Sequence, residues 1–71
     1  MPIIEYKLST NLYEDWGYAL ENLENAGVVV VDESNIDDGH VYIETSMPYS
    51  ELLEVLDEAL WGEDYTLEEQ Y

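Results

Sequence analysis

Residues 28–45 read VVVVDESNIDDGHVYIET. Val28-Val29-Val30-Val31 is an unbroken β-branched run, the pattern of a strand central in a sheet and shielded on both faces. Ser34-Asn35-Ile36-Asp37-Asp38-Gly39 is turn chemistry, and His40 to Thr45 alternates through Val41 and Ile43. The two strands are expected to form a hairpin.

Upstream, Gly27 supplies a left-handed stop for a helix that Ser9-Thr10-Asn11 would cap, with Glu14 three residues after Asn11. Within it Leu12, Trp16, Ala19, Leu20, Leu23 and Ala26 recur at helical spacing and fall within about 120° of arc. Gly17 weakens that helix locally. Before it, Ile3, Ile4, Tyr6 and Leu8 suit a short strand over Pro2 to Leu8. Downstream, Ser46 and Pro48 announce a second helix. Its apolar stripe of Tyr49, Leu52, Leu53, Leu56, Ala59 and Leu60 ends before Gly62. Tyr65 and Leu67 leave two readings of the tail, an edge strand or a frayed end.

The expected fold is one α+β domain spanning 1–71, in the order β-α-β-β-α with a further β in the first reading of the tail. Two helices would lie on one face of a small, mostly antiparallel sheet, a trimmed ferredoxin-like layout.

Eighteen of the 71 residues are Asp or Glu and only Lys7 is a Lys or Arg, giving a formal charge of −17. Such a field repels nucleic acid and anionic membrane and attracts basic surfaces. An apolar share of 46% and an aromatic share of 13% argue for a folded chain. There is no Cys, which removes disulfides and thiolate metal sites. No stretch approaches the roughly 18 apolar residues of a membrane span, so a cytoplasmic, unexported protein is expected.

Helical projection sends the acids outward. Glu14 and Glu21 lie opposite the first helix's stripe with Glu24 beside them, and Glu51, Glu54, Asp57 and Glu58 turn away from Leu52 and Leu56. Positions 51, 54 and 58 form a row of like charge with no intervening cation. A solvated helix face accounts for any single Glu in this set. It does not account for the missing cations, because ordinary surfaces intersperse signs. Trp61 projects beside Glu54, Asp57 and Glu58 as an interface anchor; if the helix instead ends at Leu60, the indole can fold back on the core. Seven Tyr and no Phe suit binding surfaces, and Tyr6, Tyr13, Tyr18, Tyr42, Tyr49, Tyr65 and Tyr71 cannot all be core.

Catalytic apparatus is missing from the pattern. His40 is the single histidine and no nucleophilic constellation accompanies it. Residues 32–39 are dense in oxygen ligands but fail the EF-hand spacing: with Gly39 as sixth position, Ser34, Ile36 and Thr45 would fill places that need liganding side chains. Neither enzyme activity, cofactor nor metal is expected.

In size, acidity, small mixed fold and surplus Tyr the chain resembles the small phage-encoded DNA-mimic inhibitors, including acidic anti-CRISPR and anti-restriction proteins. That resemblance implies a stoichiometric inhibitor occupying the DNA-binding surface of a host defence protein, a CRISPR-Cas or restriction component. It transfers no numbered binding residue. The candidate surface read from the residues is Glu14, Glu21, Glu24, Glu51, Glu54, Asp57, Glu58 and Trp61. Two other readings share much of the physics: an immunity or antitoxin protein neutralising a basic nuclease or toxin, and a halophile's housekeeping domain acidic for solubility.

Overall fold

The computed structural model describes residues 2–11 and 15–70. Strand β1 (Ile4–Thr10), helix α1 (Trp16–Asn25), strands β2 (Val29–Asp32) and β3 (His40–Thr45), helix α2 (Tyr49–Ala59) and strand β4 (Tyr65–Gln70) follow in that order. The strands form one sheet in the order β2-β3-β1-β4, every neighbouring pair antiparallel. This is the small α+β layout expected from the sequence, with the tail resolved as an edge strand. The Cα radius of gyration is 10.9 Å and the longest dimension 33 Å.

Pairing register explains which side of the sheet is covered. Tyr6 lies across from Ile43 and Leu8 across from Val41 and Leu67, so their side chains share one face, where they are joined by Thr10 and Thr45. On that face sit α1, through Trp16, Ala19, Leu20 and Leu23, and α2, through Leu52, Leu56 and Ala59, closing a core with Val28 and Leu60. The opposite face carries Glu5, Lys7 and Ser9 of β1 with His40, Tyr42 and Glu44 of β3.

Five expectations need correction. The valine run is an edge strand, not a central one: β3 folds back between β2 and β1, leaving Val29 and Val31 exposed and only Val28 fully buried. Strand β1 extends to Thr10, because the sheet recruits Ser9 and Thr10 opposite Thr66 and Tyr65. Those residues therefore lie inside the strand, and α1 starts at Trp16 behind Asp15, whose side chain makes no capping hydrogen bond. Ala26 stands after the helix end and is exposed rather than part of the stripe. Tyr49 is also exposed, reaching Tyr6 with ring centroids 6.3 Å apart. Leu12, Tyr13, Glu14 and Tyr71 lie outside the described residues.

Candidate functional site: an acidic surface

Antiparallel β1 and β3 each lead into a helix on the same face of the sheet, so α1 and α2 lie side by side with opposite chain directions. Their apolar sides are spent on the core, and the residues left over face solvent. Glu21 and Glu24 on α1 and Glu51, Glu54, Asp57 and Glu58 on α2 are all exposed on this helical layer. Of the acids expected on the surface, Glu14 alone falls outside the described residues.

A second acidic region emerges only from the strand order. The end of β1, the β2–β3 turn and the α2–β4 turn meet at one end of the sheet, where the Thr10 N–H donates to the Gly39 carbonyl at 2.9 Å. An open groove of about 360 Å³ there is lined in part by Asn11, Asp38, Asp64 and Thr66. Exposed Glu33, Asp37 and Asp38 come from the turn between β2 and β3, and Glu63 and Asp64 from the turn before β4. Asp15 is exposed at the head of α1. Helical projection assigned none of these to the surface, since turn residues acquire neighbours only once the strands are ordered.

The outer sheet face differs. Lys7 stands between Tyr42 and Glu68 in cross-strand register, while Glu5 is opposite Glu44. His40 packs edge-on against Tyr42, ring centroids 5.7 Å apart. Asp32, also opposite Tyr42, accepts hydrogen bonds from the Ser34 hydroxyl at 2.7 Å and its N–H at 2.8 Å. Those two bonds favour the ionised form and hold its carboxyl below the ordinary value.

Trp61 leaves the α2 row but does not fold back onto the core. It is 54% exposed, whereas Trp16 is 4% exposed. Its placement follows from how α2 stops. The Trp61 N–H donates to the Glu58 carbonyl at 3.3 Å and the Gly62 N–H to the Asp57 carbonyl at 2.9 Å, the paired bonds of a Schellman stop. Helix α1 ends with the same pair, Gly27 to Glu24 at 3.1 Å and Val28 to Leu23 at 2.9 Å. The left-handed position of that motif belongs to Gly27 in α1, with φ 97°, and to Trp61 in α2, with φ 54°. An L residue there costs about 1–2 kcal/mol that glycine avoids. Val28 recovers apolar burial beside Leu23 at the first stop; Gly62 offers none at the second.

Chemically, this surface offers carboxylates, an indole and phenols, which suit Lys and Arg on an opposing protein. No family model, no curated protein and no solved structure matches this chain.

Proposed function

We propose that this protein is a stoichiometric inhibitor that presents DNA-like charge to a basic DNA-binding protein of a bacterial host's defence machinery, a CRISPR-Cas or restriction component, in the cytoplasm. One observation carries the reading: −17 of charge on a body 33 Å long. Duplex DNA carries one charge per about 1.7 Å, so the same length of duplex presents about 19 phosphate charges. A cleft built for that density meets a comparable one here. The carboxylates of α1, α2 and the loop end would pair with Lys and Arg that otherwise hold phosphates, Arg bidentately.

The test is capture of the partner from a host lysate on the immobilised protein at low and high salt, with mass spectrometric identification and competition by duplex DNA. A defence protein released both by salt and by duplex supports the proposal. A captured basic toxin or nuclease foreign to defence replaces it with the immunity reading. Capture that duplex cannot compete away removes the mimicry.

A further inference from the structure

We infer that Trp61 is the anchor of the binding surface and that it selects guanidinium over ammonium groups, so that the partner segment seated on it is rich in arginine. The inference rests on the proposed basic partner and adds the chemistry of the contact.

Three observations converge on it. Trp61 occupies the backbone position that the fold gives to glycine at its other helix stop, with Gly62 available in the very next place. Its indole is 54% exposed and stands outside the buried core and the side chains packed against it, so the core does not account for the position. Strained positions that the interior does not explain concentrate at ligand contacts. Finally, the indole departs from a turn whose hydrogen bonds end on the carbonyls of Asp57 and Glu58 and which continues into Glu63 and Asp64, all exposed.

This charge pattern chooses the occupant. An exposed indole with Asp57 and Glu58 just before it in the chain and Glu63 and Asp64 just after attracts a cation, and a planar, weakly hydrated guanidinium can stack on the ring while its N–H groups bond acids within reach. An ammonium is compact and strongly hydrated, and it gains little from the ring. Another copy of this chain would bring its own −17 and is repelled.

Nona-arginine and nona-lysine peptides, equal in charge, provide the test. Affinities are measured at low salt for the native chain, Trp61→Leu and Trp61→Gly, together with acrylamide quenching of tryptophan emission. Because Trp16 is buried, the quenchable emission reports Trp61.

In the native chain nona-arginine should shield Trp61 from acrylamide and nona-lysine should not. The arginine-over-lysine affinity ratio should fall about two- to five-fold in both variants, the size of one exposed cation–π contact. Trp61→Gly should also melt about 4 °C or more above the native chain, as glycine relieves the left-handed position. An affinity ratio unchanged by both variants, or Trp61 left unshielded by nona-arginine, overturns the anchor while leaving the charge-based proposal standing. Binding of neither peptide overturns the parent proposal as well.

Discussion

The Thr10 hydroxyl donates a 2.6 Å hydrogen bond to the backbone carbonyl of Asp64, joining the last residue of β1 to the residue just ahead of β4. Thr10 is only 7% exposed, and its N–H is bonded to the Gly39 carbonyl. One buried residue thus ties the two acidic turns together. Thr10→Val keeps the shape and deletes the donor, and should cost about 1 kcal/mol, lowering the thermal midpoint by about 4–8 °C. An unmoved midpoint would show that this bond does not hold the loop end.

Alkali should unfold the protein through two phenols. Burial, then the charge of Glu69 and the nearby Tyr49, raises the Tyr6 pKa; burial, then Asp57 and Tyr49, raises that of Tyr65. A folded-state pKa above the unfolded one means stability fully present below the unfolded value, about 10. That contribution is lost as pH rises through the folded value. Thermal midpoints recorded upward from pH 8 should therefore be level at first and drop beyond pH 10, and Tyr6→Phe should soften the drop. A flat profile for the native chain contradicts this assignment.

Salt should act on folding and on capture with opposite signs. Glu51, Glu54 and Glu58 follow one another at helical spacings, and screening relieves their repulsion. The thermal midpoint should rise between about 0.01 and 0.15 M salt, two ionic strengths that shorten the Debye length from about 30 to 8 Å. Over the same range, association with a basic partner should slow markedly. The folded state should already be present in dilute buffer. A requirement for molar salt would instead favour the halophile reading, and an association rate indifferent to salt would count against steering.

Reversing Glu54 and Glu58 to Lys changes the formal charge by +4, from −17 to −13. Both positions are exposed, so stability should stay within about 0.5 kcal/mol. Partner affinity should fall. Undiminished binding by this double variant, measured by calorimetry beside a melting curve, would remove α2 from the surface.

Legibility in the sequence followed the range of the physics involved. Strand β3 was readable from Val41 and Ile43, and α2 from its leucines, because periodicity is a local property and burial in the structure follows it. The position of Val28 to Val31 within the sheet was not, since a valine run records apolarity and not which strand inserts beside it. Ser9 and Thr10 have the side chains of a helix cap, yet pairing with β4, fifty-odd residues away, claimed them for the sheet. The outward acids of both helices were readable from projection. The loop-end acids depended on strand order, and Trp61 on a helix stop in which the expected glycine lies one place too late.

The sole lysine sits on the sheet's outer face, while most of the carboxylates crowd the helical layer and one end of the strands. Glu5, Asp32, Glu44 and Glu68 share that outer face, so the negative charge there is thinned by Lys7 rather than reversed. In the field of a cationic cleft such a body feels a torque at distances where no atoms touch, and it is turned before it arrives. Under the proposed function, encounters with such a cleft would begin with the acidic helices and loop end turned toward it.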